Sequence, residues 1–109
     1  MAKGYHSSWR VPDEVRFSEE YLGAARASAF GQAVYDRRTQ LGLSQTELAR
    51  RAGMTQPGVS RIELGGTTPT LPLLSRLAEA MDADLDIHLS PREGRASVRF
   101  TPVGPEAAA

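Results

Sequence analysis

The segment LGLSQTELARRAGMTQPGVSRIELGGTTPT, residues 41–70, constrains the fold more than any other part of the chain. It holds two short helical stretches with punctuation at both ends of each. Ser44-Gln45-Thr46-Glu47 fits a capping box, in which hydroxyl and carboxylate each satisfy a backbone N–H. That helix stops at Gly53. Thr55 fits the N-cap of the next, and Pro57 falls in its first turn, where a missing N–H costs little. Gly65-Gly66 ends it. Only Gly53, Met54 and Thr55 then connect the two, so they must cross steeply. Ala49 is small where they approach. Leu48, Ala52, Val59 and Ile62 face inward, and Phe30, Val34, Leu41, Leu43, Leu74, Leu77 and Met81 close the core. Gln56, Pro57, Ser60 and Arg61 are left on the outward face of the second helix.

The flanks read differently. Residues 1–17 are polar and mixed, with a lone Trp9 and Pro12, and suit an arm. Ser18 with Glu19 and Glu20 marks a helix start. The alanine-rich run that follows closes at Gly42 and is one long helix, or two with a break near Gly31. Thr70 caps a further helix, LPLLSRLAEAMD. Beyond Met81 the period changes to two. Leu85, Ile87 and Leu89 alternate with Asp84, Asp86 and His88, and Ala96, Val98 and Phe100 alternate with Ser97, Arg99 and Thr101. Two half-buried strands joined by SPREGR are expected. The division is residues 1–28 as arm and lead-in helix, 29–81 as the helical domain, and 82–109 as hairpin and tail.

Composition removes several classes. The chain has 109 residues, no cysteine and a formal net charge of zero. Disulfide and thiolate chemistry are excluded. No apolar run approaches the roughly 20 residues of a membrane span, and no signal-peptide core opens the chain, so a cytoplasmic location and no membrane partner are expected. Residues 28–81 hold arginines 37, 38, 50, 51, 61 and 76 against acids 36, 47, 63 and 79, and the acidic excess lies after residue 82. A basic segment beside an acidic tail suits a nucleic-acid module of modest non-specific affinity. His6 and His88 stand apart from other ligands, and Asp82, Asp84 and Asp86 lack a calcium-loop pattern, so no metal and no cofactor are expected. No catalytic grouping appears, and the chain is not expected to be an enzyme.

The spaced residues Gly42-Leu43-Ser44-Gln45, Glu47-Leu48-Ala49, Gly53, Ser60-Arg61-Ile62-Glu63 and Pro69 resemble the Cro/C1-type (XRE) helix–turn–helix family. The resemblance covers about residues 29–81. It implies an all-α, lambda-repressor-like bundle of four to five helices, here with a short C-terminal β-strand or hairpin. It also implies operator DNA as a partner, read by helix 55–64 in the major groove of a homodimer. Carried over by position, Gln45 contacts a phosphate and braces the reading helix, while Gln56 and Arg61 read bases. Thr46, Thr55, Pro57 and Ser60 complete the DNA-facing set. Thr67 and Thr68 lie along the backbone, and Arg38 and Glu63 form a structural ion pair. Pro57 and Gly58 replace polar residues of many relatives, which makes the base reader sparse and shifts specificity toward dimer spacing and DNA shape. The loop 64–68 has no lysine, which implies a shallow salt dependence. Arg50 and Arg51 fit phosphate contact or a solvated face equally.

The wider layout is a helical lead-in, the domain, then LPLLSRLAEAMDADLDIHLSP. It is similar to HigA-like antitoxins, and implies a RelE-like toxin as a protein partner, gripped by flanking residues such as Trp9, Phe17, Tyr21 and Leu22. A stand-alone repressor and a protein-binding module without DNA function remain alternatives. The fourth helix and the 84–100 hairpin are the candidate dimer surfaces.

Overall fold

A computed structural model describes residues 19–104. The elements are α1 (Glu19–Gln40), α2 (Gln45–Ala52), α3 (Gln56–Glu63), α4 (Leu71–Ala80), β1 (Ala83–Ser90), a 3-10 turn (Pro91–Glu93) and β2 (Arg95–Pro102). The expectations for Ser18, Trp9, Phe17 and the arm lie outside the described residues, as does the side chain of Tyr21. Leu22 is half-buried on α1.

The three short helices begin as their capping residues dictate. Ser44, Thr55 and Thr70 are in extended backbone conformation, and their hydroxyls accept from the N–H groups of Glu47, Gly58 and Leu73. Each bond satisfies a donor that the first helical turn leaves unpaired. The capping box at Ser44 is only half made. The Glu47 carboxylate turns away from the Ser44 backbone to accept from Arg50 and Arg51.

Gly31 does not break α1, which runs unbroken from residue 19 to residue 40. Its role is space. A Cβ at position 31 would lie 2.3 Å from the Ile62 carbonyl oxygen and 2.8 Å from that of Glu63. Glycine lets α1 lie directly on the C-terminal turn of α3.

The core centres on one cluster, Ala33, Val34, Leu48, Ala49, Ala52, Val59, Ile62, Leu77, Ala78, Met81 and Phe100, with Phe30 and Leu74 also buried and Leu43 only half-buried. Leu48, Val59, Leu77 and Met81 have no exposed surface. Leu41 packs against this cluster from its edge. Burial of such side chains, about 1.5–3 kcal/mol each, holds together helices too short to persist alone.

A correction concerns the fold class. The bundle has four described helices and is not strictly all-α. β1 and β2 are eight-residue strands paired antiparallel along their whole length, from Ala83 opposite Pro102 to Ser90 opposite Arg95. Phe100 is buried in the core and lies opposite Leu85. The alternation continues past the point where the core ends, so Ile87 and Leu89 are 38% and 51% exposed instead of half-buried.

Candidate nucleic-acid interface

The connection between α2 and α3 is three residues. Gly53 sits at φ 69°, a left-handed conformation that glycine takes freely. Met54 returns its N–H to Ala49 at 2.8 Å. Thr55 then opens α3, with Pro57 in its first turn. Val59 and Ile62 anchor the inner side of α3 in the core. On the other side Gln56, Pro57 and Arg61 are exposed, and Ser60 is half-buried.

A line of polar contacts fixes how α3 is presented. Gln56 donates from Nε2 to Gln45 Oε1 at 2.7 Å. Gln45 donates from Nε2 to Glu63 Oε1 at 2.9 Å. Glu63 accepts from Arg38 Nε at 2.6 Å and from Arg38 Nη2 at 2.9 Å. Arg38 Nη1 ends the line on the Leu43 carbonyl at 2.8 Å. The start of α2 is thereby tied to both ends of α3, and α3 to α1. The Arg38 and Glu63 side chains are 11% and 5% exposed, so the bidentate pair works largely out of water. The hydrogen bonds that Arg38 donates to Glu63 raise its pKa above the ordinary guanidinium value.

The remaining candidate residues surround this face. Thr46 and Thr55 are exposed at the two helix starts, and Thr67 and Thr68 are exposed on the loop after α3. That loop folds back on Arg61. Gly66 N–H reaches the Arg61 carbonyl at 2.9 Å, and a Cβ at position 66 would lie 3.0 Å from Arg61 Cγ. The glycine therefore seats the loop against the arginine stem. Arg50 and Arg51 both hold the half-exposed Glu47, and hydrogen bonds from Arg50 and then Arg51 pull that carboxyl down to about 2. Their charge is partly neutralised within their own helix.

Two supporting arginines carried no separate expectation. Arg37 is 2% exposed. Its Nε and Nη2 donate to the Met81 carbonyl at 3.0 and 2.8 Å, and Nη2 reaches the Asp82 carbonyl at 3.2 Å. Asp82 turns the chain from α4 into β1 at φ 49°. One signal did exist: Arg37 lies on the same helical stripe as Phe30, Ala33, Val34 and Leu41. Arg76 donates to the Ala52 carbonyl at 3.1 Å and so satisfies the end of α2.

The geometry defines a class: a helix–turn–helix domain with a braced, outward-facing second helix. Comparison with known proteins agrees. The helix–turn–helix family profile matches residues 34–87. An HTH-type transcriptional regulator of Haemophilus influenzae is 33% identical over 82 residues, which span 74% of this chain and 84% of that protein. Antitoxin HigA1 of Mycobacterium tuberculosis is 39% identical over 66 residues, spanning 61% of this chain but 44% of the antitoxin. The crystal structure of the restriction-modification controller protein C.AhdI from Aeromonas hydrophila is similar at a TM-score of 0.50 and 34% identity, over 62% of this chain and 94% of that one. The chain belongs to the Cro/C1-type (XRE) family of helix–turn–helix transcriptional regulators and is a DNA-binding regulator. No described helix is long and apolar enough to cross a membrane.

Proposed function

We propose that the chain is a sequence-specific repressor of its own operon, that it binds a two-fold operator as a homodimer, and that it is the antitoxin of a HigBA-like pair. In this reading α3 enters the major groove. Gln56 pairs with adenine and Arg61 with guanine, each contact discriminating by about 1–3 kcal/mol. Pro57 offers its ring to a thymine methyl, and Ser60 adds a short polar contact. Gln45, Thr46, Thr55, Thr67 and Thr68 meet sugar and phosphate, which sets register without reading sequence. The observation that carries the reading is the Gln45–Gln56 hydrogen bond, which holds a candidate base reader on an exposed face whose inner side is locked in the core. Two copies of α3, about one helical turn apart, would cover a half-site each.

The antitoxin role rests on the similarity to HigA1 and on a chain that extends beyond the helix–turn–helix at both ends. Its protein partner would be a RelE-like toxin. A stand-alone repressor is the second reading, favoured by coverage of 84% of the Haemophilus regulator and 94% of the controller protein. Footprinting on DNA upstream of its own gene tests the shared part, and a symmetric protected site is expected. Co-purification with the product of the neighbouring gene, repeated with Arg61→Ala, separates the two. A partner retained by the variant supports the antitoxin, and the absence of one leaves the repressor.

A further inference from the structure

Among the described residues, β1 pairs only with β2 and has its other edge unpaired. Val103 donates its N–H to the Asp82 carbonyl at 3.2 Å, in step with the register that sets Asp84 opposite Thr101 and Asp86 opposite Arg99. Antiparallel ladders alternate hydrogen-bonded and non-bonded pairs. Asp84, Asp86, His88 and Ser90 therefore direct their backbone groups to β2. Leu85, Ile87 and Leu89 direct theirs to the open side. Among the described residues no backbone bond joins that side to another element. The edge is lightly protected: residues 83–90 contain no lysine and no proline, the register has no bulge, and Asp84 and Asp86 are its only charged residues. A groove between α4 and β1, lined by Leu71, Ala78, Leu85 and Ile87 together with Glu79 and Asp84, lies beside this edge.

We propose that β1 of a second copy closes this edge, antiparallel, with Ile87 on the two-fold axis. This names the surface of the homodimer proposed above and rests on that reading only for the presence of a second copy. Charge selects the register. Centring on Leu85 sets Asp84 opposite Asp86 of the other copy, and centring on Asp86 sets that residue opposite itself; like charges directly opposed destabilise a pair. Centring on His88 leaves Leu85 without a bonding partner. Centring on Ile87 sets Asp86 opposite His88 and Asp84 opposite Ser90. It also bonds three of the four outward residues, Leu85 with Leu89 twice and Ile87 with itself, and leaves only Ala83. Pro91 then faces Ala83, and its missing N–H ends the ladder. The hairpin leans chiefly on α1 and α4, on the side of the bundle away from the exposed face of α3, so the joined four-stranded sheet would leave that face open.

The chain has no cysteine, which makes disulfide mapping direct. Asp86→Cys and His88→Cys are prepared separately, mixed, and oxidised without DNA. In the proposed register these positions form a non-bonded pair with Cα atoms about 4.5 Å apart, within disulfide range. The mixture is expected to give a covalent dimer, and each variant alone is not. Self-linking of Asp86→Cys alone overturns the register. Sedimentation as a dimer with no link in any sample overturns the edge as the interface, and a monomer in all samples overturns the proposal entirely. Ile87→Lys, with circular dichroism to confirm folding, is expected to weaken dimerisation at least tenfold. Because none of these readouts uses DNA, failure here is distinct from failure of operator binding.

Discussion

Arg38 grips both carboxylate oxygens of Glu63, with Nε 2.6 Å from Oε2 and Nη2 2.9 Å from Oε1. Through Glu63 the same pair holds Gln45. Removing one partner strands the other charge out of water. Glu63→Leu is expected to lower unfolding free energy by about 3 kcal/mol or more in urea titration. The double variant Arg38→Met, Glu63→Leu is expected to lose less than Glu63→Leu alone, since no lone charge remains.

Gly31→Ala and Gly23→Ala lie on one helix and should differ in sign. The alanine methyl at 31 would meet the Ile62 carbonyl oxygen at 2.3 Å, whereas at 23 the nearest atom is the Arg26 guanidinium, 4.0 Å away. Alanine favours a helix over glycine by up to about 1 kcal/mol. Overpacking costs about 1–3 kcal/mol. Thermal unfolding should therefore show a lower Tm for Gly31→Ala and a slightly higher one for Gly23→Ala.

Arg37 links α1 to the turn between α4 and β1. Arg37→Met keeps the apolar stem and deletes the donors. A loss of about 2–3 kcal/mol is expected, since hydrogen bonds with a charged partner contribute most. Amide exchange should rise first in residues 83–90, before α2 and α3, because the lost bonds anchor the entrance to the hairpin.

Glu47 should titrate near 2, held down by hydrogen bonds from Arg50 and Arg51. A carboxyl lowered in the folded state contributes stability above its unfolded pKa, about 4.3, and loses it as pH falls through the folded value. The site is exposed, so the contribution is small. Carbon-detected NMR titration checks the midpoint, and Arg50→Ala is expected to move it upward.

Gln45→Ala removes the brace and a proposed phosphate contact together and spares the base readers. It removes the acceptor of Gln56 Nε2 and leaves the exposed atoms of Gln56 and Arg61 in place. Affinity for the operator is expected to fall by about tenfold, with base preference retained. Gln56→Ala is expected to relax preference at one base pair instead, at about 1–3 kcal/mol.

What the sequence made legible follows from the range of each interaction. The caps at Ser44, Thr55 and Thr70 join a hydroxyl to an N–H three residues on, so they can be read locally. The outward set Gln56, Pro57 and Arg61 followed from helical period against Val59 and Ile62. Gly31 was ambiguous because its reason, the Ile62 carbonyl, lies on another helix. Arg37 was missed because its partners at Met81 and Asp82 are distant in sequence. The alternation at Ile87 and Leu89 marks a strand, but period alone does not say where the core ends.

The most direct measurement is fluorescence-anisotropy titration of the protein against DNA from upstream of its own gene and against scrambled DNA. It is run at two salt concentrations, with Arg61→Ala in parallel. A clear preference for the upstream sequence is expected, collapsing in the variant while weak binding to both DNAs survives. Equal binding to both sequences, unchanged by the substitution, would contradict base reading by α3.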